Sequence, residues 1–71
     1  MNVKFDDGEH ANIVPLDRLG TVPDIGDRID WESEPETERD LPTGRYRVEQ
    51  VVWLLGSKVT PLVTVHLVLR D

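Results

Sequence analysis

Apolar residues recur at every second position near the C-terminal end of this chain. Val63, Val65, Leu67 and Leu69 alternate with Thr64, His66, Val68 and Arg70. An alternation of period two predicts a β-strand with one buried face, because successive side chains point to opposite sides of a strand. The preceding stretch, Tyr46 to Leu55, is rich in β-branched and aromatic residues, and Gly56 to Lys58 indicates a turn. We therefore expect a long C-terminal hairpin over residues 44 to 70.

The alternation changes phase within the first strand of this hairpin. Tyr46 and Val48 share one face, whereas Val51 and Trp53 fall on the opposite phase. One extra residue in a strand shifts the phase, so a bulge at residues 49–50 would return all four side chains to the same side. We therefore predict this bulge and a buried cluster made of Val48, Trp53, Val65 and Leu67.

Three further short strands are predicted near residues 2–5, 10–14 and 27–32. The dipeptide Asp7-Gly8 is typical of a hairpin turn between the first two strands, and a proline ends the second strand. Residues 17–19 are expected to form a single helical turn before Gly20, and a tight turn follows over residues 22–27. With the strands near 44–55 and 60–70, the chain has five predicted strands and almost no helix.

Five short strands in 71 residues predict one small domain over residues 1–71. A chain of this length buries only ~60% of its unfolded surface, and the absence of cysteine means that no disulfide adds to its stability. Small sheets commonly remove their exposed edges by curling into a barrel. We therefore predict an all-β fold, a partly open five-stranded barrel of SH3-like or OB-like type with a long C-terminal hairpin and an acidic loop.

The middle of the chain resembles small SH3-like barrel proteins of bacteria and phages. The resemblance lies in a P-x-x-G-D turn at Pro23 to Asp27, a short strand, a variable loop and the pattern Y-x-V-x-x-V-x-W at Tyr46 to Trp53. It covers about half of the chain. It implies a small barrel, but it implies no activity, because such barrels have many unrelated functions.

Residues 24 to 40 carry the whole net charge of the protein. Eight acids and two arginines give this window a charge of −6, which equals the formal charge of the full chain. A pI near 4.7 disfavours direct binding to nucleic acid or to an anionic membrane.

Residues 32–43 contain two prolines and only one large apolar residue, Leu41, so we predict a mobile loop there. The acids on alternate positions of this loop are Glu32, Glu34, Glu36, Glu38 and Asp40.

The alternating acids have two interpretations. They form either a solvated loop that keeps a small domain soluble, or a surface that binds a cationic partner. In an extended segment, alternate side chains lie on one face at intervals of ~6.6–6.8 Å, so a row of carboxylates can imitate part of a phosphate backbone. Trp31 and Trp53 are each expected in the core, or as an anchor for a protein partner if they lie at the mouth of the barrel beside the acids. The predicted binding residues are Asp30, Trp31, Glu32, Glu34, Glu36, Glu38 and Asp40.

The sequence has no arrangement of residues that is typical of catalysis. Its two histidines, His10 and His66, lack the spacing of metal ligands, and neither serine lies in a nucleophile motif. Asp24 and Asp27 flank Gly26, where acids more often cap a turn than act as an acid–base pair. We therefore expect no enzymatic activity, no bound metal and no cofactor.

The N-terminus has no apolar signal region, and residues 59–69 are too few and too polar to span a bilayer, so we expect a soluble cytoplasmic protein. The predicted function is that of a small acidic protein-binding module. Its most concrete form is an inhibitor or adaptor from a phage or another mobile element that occupies a basic nucleic-acid-binding surface of a partner. The alternative is a structural or assembly module, or an enzyme accessory subunit, that associates through an exposed strand edge; a homodimer is one form of such an association.

Overall fold

A computed structural model describes residues 1–34 and 37–70. It contains five strands and one short helix: β1 (Asn2–Asp6), β2 (Ala11–Pro15), α1 (Leu16–Leu19), β3 (Arg28–Trp31), β4 (Gly44–Leu54) and β5 (Leu62–Leu69). Every predicted strand is present, and its ends differ from the prediction by at most two residues. The prediction of an all-β fold with a long C-terminal hairpin is therefore confirmed.

The five strands form one mixed sheet in the order β2-β1-β5-β4-β3. β1 runs parallel to β5, and the other three strand pairs are antiparallel. The sheet curls into a half-barrel whose two edge strands, β2 and β3, do not pair with each other. This arrangement confirms the partly open barrel.

The predicted bulge lies in β4. The register between β4 and β5 shifts between Val48 and Gln50, so that Val48 is opposite Leu67 and Val51 is opposite Val65. Because one extra residue is inserted, Val48 and Val51 both contact the core on the inner face of the sheet.

The core lies on this inner face. Its fully buried residues come from the three strands β1, β4 and β5 and from the loop before β4, and they are Val3, Phe5, Leu41, Tyr46, Val48, Val63, Val65 and Leu67. The predicted burial of Val48, Val65 and Leu67 is confirmed. The prediction for Trp53 is wrong, since this side chain is 50% exposed. Trp53 is opposite Val63 near the end of β4, where β3 no longer runs beside the strand.

Residues 39–41 of the acidic loop contact the edge strand β2. Its residue Leu41 is completely buried, and the Leu41 N–H donates to Asn12 Oδ1 at 2.7 Å. The Ala11 N–H on the outer edge of β2 donates to the Arg39 carbonyl at 2.8 Å. Residues 37–43 of the predicted mobile loop are thus joined to the sheet by contacts that composition alone does not reveal. The mobility of the loop stays a prediction.

Candidate protein-binding surface

Two acidic segments meet at one end of the sheet. β1 and β5 point towards this end and β4 begins there, so the β1–β2 turn and the acidic loop lie at the same end. The bond from Ala11 to Arg39 brings the turn at residues 37–40 against the start of β2. We call this region the acidic end; its exposed acids are Glu9, Asp30, Glu32, Glu34 and Glu38. Another predicted binding acid, Glu36, lies outside the described residues.

Hydrogen bonds join the beginning of the acidic loop, at Ser33, to its end, at Thr43. The Ser33 N–H donates to Thr43 Oγ1 at 2.9 Å, and the Thr43 hydroxyl donates to the Ser33 carbonyl at 3.1 Å. Glu32 and Glu34 flank this contact, and with Ser33 and Thr43 they line an open groove of about 420 Å³. Two carboxylates are thus presented beside a polar groove whose walls are joined by hydrogen bonds.

The second part of the loop forms a turn. The Asp40 N–H donates to the Thr37 carbonyl at 3.3 Å, while Asp40 Oδ2 accepts from the Thr37 N–H at 3.1 Å. The predicted extended row of acids therefore does not continue through residues 37–40. Aspartate side chains readily accept hydrogen bonds from nearby backbone N–H groups, and this preference stabilises a turn here. As a result Glu38 does not extend the line of Glu32 and Glu34.

Asp40 is a structural acid of the loop. Its Oδ1 accepts from Asn12 Nδ2 at 3.1 Å, in addition to the bond from Thr37. Since Asn12 also holds the Leu41 N–H, the two side chains form a polar clamp between β2 and the loop. The predicted binding residue Asp40 thus positions the acidic end, and the more exposed carboxylates around it carry the accessible charge.

The acids at this end differ in how their charge is compensated. Arg28 binds Asp30 through two hydrogen bonds of 3.0 and 3.2 Å, and His10 binds Asp7 at 3.0 Å. In the described part of the chain, Glu32, Glu34 and Glu38 form no ion pair. These three exposed carboxylates are therefore available to an external cation.

Asp7 organises the β1–β2 turn. Its Oδ1 accepts from the backbone N–H groups of Glu9 and His10 at 2.9 and 2.6 Å, and its Oδ2 is 3.0 Å from His10 Nδ1. Burial would raise the pKa of Asp7, but the hydrogen bonds and the nearby His10 ring outweigh burial and hold this pKa below its usual value. Asp7 stays ionised and adds negative charge close to the acidic end.

Tyr46 connects the loop to the core. Its buried ring packs among the core residues, and its hydroxyl donates to the Pro42 carbonyl at 2.7 Å. Burial and the negative charge of Asp7 raise the pKa of the Tyr46 hydroxyl, so that it remains protonated and keeps this hydrogen bond. The last residues of the acidic loop are thereby fixed to the inner face of β4.

Trp31 lies at the rim of the core. Its ring packs against Phe5 with the two ring centres 5.4 Å apart, and the side chain is half-buried. Its indole N–H is buried and has no hydrogen-bond acceptor within the described residues. Packing against Phe5 is its observed contact, and its role as an anchor for a partner stays a prediction.

Sequence reasoning did not include Glu9 in the candidate site. The sequence predicts a hairpin turn at Asp7-Gly8, and the proximity of this turn to the loop depends on the hydrogen bond from the Ala11 N–H to the Arg39 carbonyl. The acidity of this turn was a usable signal, but no local pattern indicates which distant segment approaches it.

The described residues contain no group of three histidine, cysteine, aspartate or glutamate side chains placed to hold a metal ion. Among the described helices, none has the length and apolar character needed to cross a bilayer. In comparisons with known proteins, no family model, no curated protein and no solved structure matches this chain.

Proposed function

We propose that this domain is a protein-binding module whose acidic end binds a basic surface of another protein. The partner surface is one that otherwise contacts nucleic acid, so the domain acts in the cytoplasm as an inhibitor or adaptor. One observation carries the proposal: Glu32, Glu34 and Glu38 are exposed and form no ion pair in the described chain, yet they belong to a loop that is fastened to the sheet.

The fastening of the loop favours binding over mere solvation. A flexible loop loses conformational entropy when it binds, and this loss weakens association. Here the contacts Ser33–Thr43, Asn12–Leu41 and Tyr46–Pro42 hold the loop in the free protein. Part of the ordering cost is therefore met before a partner arrives.

The chemistry of the acidic end suits arginine and lysine. Carboxylates accept two parallel hydrogen bonds from a guanidinium group, and such charge-assisted bonds are about twice as strong as neutral ones. The concentrated negative field also increases the association rate with a positively charged partner. A basic nucleic-acid-binding groove presents the required cations at closely spaced positions.

The test compares two triple variants that remove the same amount of charge. The first, Glu32→Gln/Glu34→Gln/Glu38→Gln, neutralises the acidic end. The second, Asp17→Asn/Asp24→Asn/Glu49→Gln, neutralises three exposed acids elsewhere. Partners are captured from host extract on the parent, identified, purified and titrated against all three proteins by calorimetry. We expect the first variant to bind at least ~10-fold more weakly, about 1.4 kcal/mol, and the second to resemble the parent.

Competition with nucleic acid tests the class of partner. Duplex DNA added to the parent complex should displace the domain, because both ligands occupy the same basic surface. Equal affinity of the two triple variants, or a complex that duplex DNA leaves intact, would refute the proposal.

A further inference from the structure

β4 extends beyond its neighbour on one side. β3 pairs with β4 only from Gly44 to Arg47, and the backbone of residues 26–27 continues the contact as far as Val48. Further along, residues 50–54 pair with β5, but no other described strand lies on their opposite side. This part of β4 is therefore an open strand edge.

The direction of the backbone groups follows from the pairing. Arg70 donates its N–H to the Arg45 carbonyl. The backbone N–H and C=O groups of every second residue of β5, counted back from Arg70, therefore point towards β4. Gln50, Val52 and Leu54 lie opposite such residues and direct their backbone groups towards β5. The N–H and C=O groups of Val51 and Trp53 consequently point away from the sheet, towards the open edge.

This edge is strongly apolar. Residues 51–55 have the sequence VVWLL, and Trp53, Leu54 and Leu55 are 50%, 52% and 62% exposed. Exposed edges of soluble proteins normally carry charges or are covered, which prevents pairing with other chains. The edge strand β3 carries such charges at Arg28 and Asp30. In β2, the Arg39 carbonyl covers part of the edge. We call residues 51–55 the apolar edge.

A groove runs beside the apolar edge. It has a volume of about 550 Å³, and its walls are Val51 and Trp53 on one side and residues 20–25 on the other. Ile25 at this wall is 68% exposed. The groove is large enough to receive an aromatic side chain from outside.

We propose that a second copy of this chain docks at the apolar edge, with the two β4 strands antiparallel across a two-fold axis. Such an edge is self-complementary, because a two-fold axis places each outward N–H opposite a carbonyl of the same strand in the other copy. Each Trp53 then enters the groove of the other copy. The dimer does not depend on the proposed function, but if both hold, the assembly presents two acidic ends.

The distribution of charge supports a second copy as the occupant. The 11-residue strand β4 begins at the acidic end with Gly44 and finishes at the apolar edge with Leu54. It spans ~33 Å, which is more than three Debye lengths. Between residues 50 and 69 the only formally charged residue is Lys58, and the facing wall of the groove adds one acid, Asp24. Two chains of charge −6 can therefore meet at these edges while their acidic ends stay far apart.

The first test is sedimentation equilibrium of the full chain from micromolar to millimolar concentration. We expect a reversible monomer–dimer equilibrium that rising salt does not weaken. Leu55→Lys and Trp53→Lys should each raise the dissociation constant at least ~10-fold, because a charged edge opposes pairing. Ile13→Lys is the matched control, since Ile13 is 58% exposed but lies on β2, and it should dimerise like the parent.

Hydrogen exchange then locates the interface. In the dimer the amides of Val51 and Trp53 should gain protection as concentration rises, whereas those of Val52 and Leu54 should be protected at every concentration. A protein that is monomeric at millimolar concentration, or a dimer without added protection at Val51 and Trp53, would overturn the inference. Neither result affects partner binding at the acidic end, which salt weakens and which is measured with different variants.

Discussion

At the scale of single residues, a few side chains on distant segments hold the acidic end in place. Asn12 on β2 binds both Asp40 and the backbone of Leu41, and Tyr46 on β4 binds the Pro42 carbonyl. These contacts of Asn12 and Tyr46 connect the loop to an edge strand and to the core, so the position of the acids depends on residues outside the loop. Asp7 instead orders the neighbouring turn locally, by accepting hydrogen bonds from the backbone N–H groups of Glu9 and His10.

Leu41 is expected to contribute strongly to stability although it belongs to a polar loop. Leu41→Ala should lower the free energy of unfolding by ~2–5 kcal/mol, because it removes a fully buried side chain and leaves a cavity. Leu69→Ala, at a position that is 67% exposed, should change it by less than ~0.5 kcal/mol. Urea denaturation of both variants measures the difference. Equal urea denaturation midpoints for the two variants would show that the loop does not cover the core.

Asp7 should make stability dependent on acidic pH. Its pKa is lower in the folded than in the unfolded chain, so its contribution is complete above the unfolded value of ~3.9 and is lost as pH falls through the folded pKa. Asp7→Asn should therefore be less stable than the parent at pH 7, by about 1 kcal/mol, and the difference should shrink in acid. Melting temperatures recorded across acidic pH check this, with Asp17→Asn as the control. A difference that stays constant down to the lowest pH would contradict it.

At the scale of elements, the alternation of apolar residues predicted the strands and the bulge because both are local properties. The parallel pairing of β1 with β5 was beyond such reasoning, since alternation indicates which face of a strand is buried and not which strand lies beside it. Trp53 shows the same limit, because its phase was correct but no segment covers it. For the candidate site, the exposure of Glu32, Glu34 and Glu38 agrees with the sequence, whereas the turn at residues 37–40 depends on Asn12, a residue 28 positions away from Asp40.

The bulge in β4 provides a test at the same scale. Deleting Glu49 should remove the extra residue, so that either Val48 or the pair Val51 and Trp53 leaves the inner face, because a shift of one residue turns every following side chain over. We expect a loss of several kcal/mol, which is large for a domain of this size. Glu49→Ala keeps the chain length and changes an exposed side chain, so it should stay within ~0.5 kcal/mol of the parent. If chemical denaturation gave the same free energy of unfolding for the deletion and for the substitution, this role of the bulge would be ruled out.

At the scale of the whole molecule, the two ends of β4 have opposite character. The acidic end lies where β4 begins, and the apolar edge lies where it finishes. In our account the first binds a basic protein and the second binds another copy of the chain. The two associations are separable by their response to salt, since screening weakens attraction between opposite charges and does not weaken apolar burial.

If the charge of the acidic end drives partner binding, the affinity of the complex must depend on salt concentration. The dissociation constant of the purified partner is measured by calorimetry at increasing ionic strength for the parent and for Glu32→Gln/Glu34→Gln/Glu38→Gln. We predict that the parent complex weakens steeply with salt, and that the variant binds more weakly at low salt with a flatter dependence. Parallel salt curves of equal affinity for the two proteins would contradict the account.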